Sequence, residues 1–489
     1  MPAPQRVRYP DDIEPLVQFI EETAPEDILD ETLAKLRAGV PTRTMLTASA
    51  LAVTRSTDLP PGHHGGMLHP LVGLHAVAQT VNRLEGENRF LPVLQHVALS
   101  NKHIHHPAMG PYALLDFEPE NAGGVEATKA AYHAAVNRGE YNKADHLFLW
   151  LWDNMPRVEA FDLLMSVAIP KNIVDDHYFA FPAFTWRALE NGAVEPRFFK
   201  ELMRPTVRYV SRFPTAPALP DIEMLIEQHE LMTRVTRQQT GEDETAAIGK
   251  LGEGIAKVDK FADIPVLMAE ALADGLSLEG AGEALSIGAA GLFSRSLGGN
   301  PMDVHLHTSA NLRRYLLKFD GLSLRNKLLL LLTWQSGPEI RSTAGRMQPY
   351  PQPDWAAVAA LPRRSEEQLL DAITHRIYTQ PPTDWSQVSN LGLMRAVPEV
   401  REAVNLAQQY VNSGYSPQAL IGRLAEIVCH DNFTEMHAFK HHQAIVEEFH
   451  ATREPWRWMH LVCGVQAAAI SFGKNMSVYE EALDLLHAA

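Results

Sequence analysis

The sequence predicts an all-α protein, a helical repeat array with internal duplication, and three observations predict it. Apolar residues recur at helical spacing along almost the whole chain. No convincing alternating run of β-branched residues occurs, so strands have no support. A unit of helix, tight cap, small-residue helix, Asp-bearing loop and then a His opening a third helix occurs four times.

The first unit starts in residues 12–38, where Ile13, Leu16, Val17 and Ile20 fall on one helical face, followed by Ile28, Leu29, Leu33 and Leu36. Gly39 then supplies a left-handed cap, and Val40-Pro41 can begin a new helix but not continue the old one. After STDLPPGHHGG comes MLHPLVGLHAVAQTVNRL, where Pro70 suits a first helical turn and His75, Gln79 and Asn82 form a polar line. The second unit, LWLWDNMPRVEAFDLLMSVA, sets Asn154 in the cap position before Met155-Pro156 and leads through IPKNIVDD to His177. The third turns at Gly275-Leu276-Ser277 and leads through GNPMD to His305 and His307. The fourth turns at Gly414-Tyr415-Ser416 and leads through HDNFTE to His437.

The intervals from cap to His are 30 for Gly39 to His69, 23 for Asn154 to His177, 30 for Gly275 to His305 and 23 for Gly414 to His437. This long, short, long, short order predicts two similar helical halves, residues 1–212 and 261–489, around a linker at 213–260. The linker is placed by FPTAPALPD and the charged, Gly-containing stretch after it. RMQPYPQPDW, Arg346 to Trp355, is a second break, because its prolines exclude a continuous helix.

Composition bounds the function. The 489 residues are 46% hydrophobic, ample for large cores, and a formal charge of −16 opposes binding to nucleic acid or anionic membranes. The two cysteines, Cys429 and Cys463, stand in no zinc-type spacing and exclude a disulfide framework. The N-terminus lacks the apolar run of a signal peptide, and the Leu328–Leu332 run is too short to span a bilayer, so a cytoplasmic protein acting on a small molecule is expected. GKL at Gly249–Leu251 lacks the rest of a P-loop, and no G-x-G-x-x-G, G-x-S-x-G or H-E-x-x-H motif occurs.

What remains is histidine. Cys429 to His450 holds five of the 22 histidines and reads as one largely buried helix, with His430, His437 and His441 on one line and Thr434 and Glu448 beside it. Lys440 and His442 are expected to face elsewhere. Buried imidazoles need partners, which a metal or neighbouring polar groups supply. His437 and His441, four residues apart, suit chelation from one helix face. Asp175-Asp176-His177 and Asp303-x-His305-x-His307 place carboxylates where they ligate a metal, orient a ligating His or cap a helix. His63 and His64 lie between glycines, and His103, His105 and His106 in a Pro/Gly-bounded loop. Imidazole with carboxylate favours iron, zinc, copper or nickel. Tryptophans such as Trp150, Trp152, Trp186, Trp334, Trp456 and Trp458 either pack the core or wall an apolar pocket.

The helices opening with a buried His, MLHPLVGLHAV, DVHLHTSANLRRYLL and EMHAFKHHQAIVEEF, resemble the questin-oxidase-like family of all-helical oxygenases. They also resemble the helical-repeat region of bacterial proteins that carry a Rieske domain, although this chain has no C-x-H…C-x-x-H pair. The first resemblance implies oxidation of a cyclic, polyketide-like substrate.

The leading expectation is therefore a metal-dependent oxidoreductase, an oxygenase acting on a small cyclic or apolar molecule. His69, His177, His305 and His437 would converge on one transition metal, most simply iron, with His307 as a further ligand and Asp176, Asp303 and His441 in catalytic support. Two alternatives stay open: a metal-free, NADPH-using Baeyer–Villiger-type oxygenase with histidines as acid and base, and a non-catalytic helical-repeat scaffold.

Overall fold

The structure is a computed structural model that describes residues 5–58, 68–107, 113–213, 219–235, 241–296, 301–347, 353–379, 398–430, 436–471 and 478–488. Among these residues there is no strand; the one extended pairing is a bridge between Arg6 and Leu115. No helix is long and apolar enough to cross a membrane among the described residues.

The chain divides into two compact units, Met1–Ala218 with Ser477–Ala489, and Leu219–Met476. In the first, α1 (Glu14–Glu22), α2 (Ile28–Arg37), α3 (Thr42–Ser56), α4 (His69–Val81) and α5 (Leu91–His105) precede α6 (Val125–Asn137), α7 (Tyr141–Asn154), α8 (Arg157–Lys171), α9 (His177–Glu190) and α10 (Phe199–Ser211). The second opens with α11 (Pro220–Gln228), α12 (Leu231–Arg234), α13 (Gly241–Ala256), α14 (Ile264–Ala273), α15 (Leu278–Arg295), α16 (His305–Leu317), α17 (Leu324–Leu332) and α18 (Pro338–Thr343). It continues through α19 (Trp355–Ala360), α20 (Glu366–Tyr378), α21 (Pro398–Asn412), α22 (Pro417–Val428), α23 (His437–Ala451) and α24 (Trp458–Ser471). The last helix, α25 (Val478–His487), returns to the first unit, where it packs on α2 and α5. The stretch expected as linker, 213–260, thus carries α11 to α13, which belong to the second unit.

The turns behave as local chemistry dictates. Gly39, Gly275 and Gly414 take φ of 98°, 103° and 68°, the left-handed region that a Cβ penalises. Ser277 and Ser416 cap the next helices by accepting from the backbone N–H of Gly280 and Ala419. The turn at Asn154 differs: Asn154 is the last residue of α7, its amide donates to Trp150 O, and the bend falls on extended Met155, φ −146°, ahead of Pro156. The small residues of α15 serve close packing on α13. A Cβ on Gly288 would lie 2.4 Å from Ile255, and one on Gly252 2.8 Å from Ile287, so side chains there would force the helices apart.

Packing order is similar in the two units. In the first, α4 lies against α3, α5 and α9, α9 against α8 and α10, and α10 against α3, α6 and α7. In the second, α16 lies against α15, α17 and α23, α23 against α22 and α24, and α24 against α15, α20 and α21.

Candidate functional site

Four helices begin with a histidine, α4 at His69, α9 at His177, α16 at His305 and α23 at His437. Because α4 packs on α9 and α16 on α23, each unit brings one long-interval His against one short-interval His. The rings of His69 and His177 meet edge to face with centroids 5.1 Å apart, and those of His305 and His437 with centroids 4.7 Å apart.

In the first unit, Asp175 Oδ1 accepts from the His177 backbone N–H at 2.8 Å and lies 2.6 Å from His177 Nδ1. An ionised carboxylate only accepts, so Nδ1 carries a proton that points at Asp175. The expected helper Asp176 instead stands at the N-cap of α9, and Asp175 is the residue that orients the ring. Phe181 packs on both rings, its centroid 4.8 Å from that of His177 and 6.0 Å from that of His69. The buried His96 holds the start of α4 by donating from Nε2 to Pro70 O at 2.9 Å. Burial lowers its pKa to about 4.

In the second unit, His437 Nε2 and His305 Nε2 face each other at 3.0 Å. Met436, just before His437, holds a left-handed φ of 68°, a costly conformation for a long side chain that starts α23 abruptly at its His. Behind this pair runs a chain of buried imidazoles. His441 Nε2 lies 3.3 Å from His307 Nδ1, His307 Nε2 lies 3.4 Å from His460 Nδ1, and His460 Nε2 lies 3.2 Å from Thr452 Oγ1. Phe293 of α15 packs on the rings of His307 and His441. Desolvation holds all three imidazoles neutral, with His441 lowered to about 3, His460 to about 4 and His307 well below the ordinary value. Thr452 Oγ1 also accepts from Arg314, which pairs with buried Glu448 at 2.5 Å, and Asn311 donates to the same carboxylate.

Several expectations are corrected here. His307, expected as a further ligand, has both ring nitrogens within hydrogen-bond distance of other imidazoles, its Nδ1 of His441 and its Nε2 of His460. Asp303 is wholly buried and accepts from the Thr343 hydroxyl at 3.0 Å. Cys429 to His450 is not one helix: α22 ends at Val428, His430 lies beyond it within 3.2 Å of Tyr378 Oη, and α23 starts at His437. His103 and His105 lie on α5 rather than in a loop, with His106 at its C-cap. His63 and His64, and Thr434, lie outside the described residues. His96 and His460 were missed, since each stands in a mostly apolar stretch with no neighbouring carboxylate in the sequence, and only packing reveals its partners. Within either unit by itself, no three His, Cys, Asp or Glu ligand atoms of described residues converge closely enough to form a ready-made metal cage.

No protein-family model, no curated protein and no solved structure matches the chain.

Proposed function

We propose that this protein is a metal-dependent oxidoreductase, an oxygenase of small cyclic or apolar molecules, whose ligands are the paired histidines at the helix starts. The observation that carries the reading is the Nε2-to-Nε2 approach of His305 and His437 at 3.0 Å. Two imidazoles at ordinary metal–nitrogen distances and adjacent positions put their nitrogens roughly 3.0–3.3 Å apart. In the first unit, Asp175 orients His177 as outer carboxylates orient ligating histidines, leaving Nε2 as donor. The donor set is imidazole and carboxylate, which suits iron first and zinc, copper or nickel next. The thiols are poor donors: Cys429 and Cys463 are buried, burial raises their pKa, and each lies against a backbone carbonyl.

A bound metal would supply a Lewis-acidic or redox centre. The protein's own part is to keep the rings aimed, to wall the first pair with Phe181, and to exclude water from the imidazole chain behind the second. The shared packing order supports a duplicated ancestral module, and keeping a His pair in both copies favours a functional over a merely packed pair.

Metal content of untagged protein tests the reading. Iron or another transition metal should be bound, and His177→Ala and His437→Ala should each lower it. A parent protein that holds no metal under any loading condition overturns the proposal. The serial bonding of His441, His307 and His460, which satisfies three rings without a metal, favours a second reading in which histidines act as acid and base. NADPH consumption with a cyclic ketone by metal-free protein would support it.

A further inference from the structure

A cavity of about 710 Å³ opens in the second unit where the last turns of α13, α15 and α21 meet the starts of α19 and α24. We propose that it is a binding site for an uncharged, planar aromatic molecule carrying hydrogen-bonding groups, a reading independent of the metal proposal. Its size falls in the usual range for small-molecule sites. Trp355, Trp456 and Trp458 line it, and its surface is mostly apolar.

Two of the three indoles, Trp456 and Trp458, are held in place before any ligand arrives. Trp456 lies so close to Gly249 that a Cβ there would be 2.5 Å from its ring. Trp458 packs edge-on against Phe449 at 5.1 Å. Trp355 opens α19 behind Asp354, whose carboxylate accepts from the N–H groups of Ala356 and Ala357, yet its side chain remains 60% exposed. An exposed indole at a cavity edge buries its surface only when something occupies the cavity, and the two packed indoles reduce the entropy lost on binding.

Charge decides the ligand class. Two cations reach the cavity, but Arg295 donates to Ala256 O at 2.7 Å, at the end of α13, and Lys257 pairs with Glu253. Asp259 and the negative dipole ends of three helix C-termini are set against these cations and the positive dipole ends of the starts of α19 and α24. The net field favours neither an anion nor a cation. Gln408 Nε2 donates to Asn412 Oδ1 at 2.9 Å, which leaves Gln408 Oε1 and Asn412 Nδ2 to read polar substituents.

The cavity is separate from the imidazole chain. It uses Ser294 and Arg295 of α15 and Met459 and Cys463 of α24, whereas Phe293 and His460 point their rings at the histidines from other faces of those helices. Cys463 on its wall is a buried thiol whose pKa burial raises, so it contributes shape rather than reactivity.

Titration with N-phenyl-1-naphthylamine, an uncharged fluorescent aromatic amine, tests the proposal on the full chain after chelator treatment, so that loss of metal does not affect the readout. One saturable site per chain should quench tryptophan emission. Trp355→Ala, at an exposed position, should weaken binding roughly fivefold. Asn412→Trp, which fills the cavity from its rim, should abolish it while the melting temperature stays at the parent value. The sulfonated analogue of the probe should bind more weakly. Absence of saturable binding, parent-like affinity in both variants, or tighter binding of the sulfonated probe overturns the assignment.

Discussion

The His69–His177 pair of the first unit and the His305–His437 pair of the second each join two helix starts within one unit, yet are supported differently. The first leans on a carboxylate: Asp175 fixes the tautomer of His177, and Tyr209 Oη reaches the other carboxylate oxygen at 3.4 Å. The second leans on more imidazole, with three further buried rings bonded in series and closed by the Arg314–Glu448 pair. A carboxylate orients one ring whenever it is ionised. A stack of neutral rings holds its order only while no ring takes up a proton.

The largest effect should come from breaking the ion pair beneath the second site. Arg314→Met leaves Glu448 charged and buried, and should cost about 3–5 kcal/mol in urea unfolding. Arg55→Met in the first unit removes the cation paired with buried Glu14, while Glu21 keeps Arg6, and should cost a similar amount. A much smaller loss for Arg314→Met would mean that the Glu448 carboxylate finds water or another donor.

Acid should separate the two supports next. His441 and His460 have folded pKa values of about 3 and 4, below the ordinary 6.5, so the unfolded chain binds more protons. Their contribution is complete above about pH 6.5 and declines as pH falls toward 4, by a few kcal/mol in sum. Burial lowers His96 and His103 of the first unit to about 4 as well, so both units lose stability over this window. The difference lies in the histidine chain. His460→Gln should flatten the acid limb measured by unfolding at pH 7 and pH 5, and an unchanged limb would locate the acid sensitivity elsewhere.

The smallest effect should be the most specific. Asp175→Asn keeps the shape but removes the charge that fixes Nδ1–H, and should weaken metal binding about 10–100-fold while leaving stability near the parent value. Isothermal titration of metal into the apo-variant reads this. If affinity is unchanged, Asp175 serves the backbone of α9 and not the ring of His177.

Much of the architecture was legible because its causes are local. Gly39, Gly275 and Gly414 end helices in the left-handed region that only glycine adopts without strain, and Ser277 and Ser416 satisfy the first N–H groups of the next helices. The position of His69, His177, His305 and His437 at the first residue of a helix also follows from nearby residues, as Pro70 in the first turn of α4 illustrates. Where local signals were ambiguous, the reading slipped. The unit pattern puts a loop, HDNFTE, before His437, whereas periodicity from Cys429 onward reads as one helix, and α23 begins at His437; neighbouring Asp175 and Asp176 look alike until a ring chooses between them.

By itself, then, the sequence determined the all-helical class, the tight turns and the histidines that open helices, because steric and hydrogen-bonding preferences act within a few residues. Only the tertiary structure decided which rings meet, since His69 and His177, or His307 and His460, touch through helix packing that no spacing encodes. It also decided the fate of the buried polar groups. Whether His441, Glu448 or Asp303 finds a partner depends on which helix lies opposite, and a desolvated group left without one would cost more than a single helix gains.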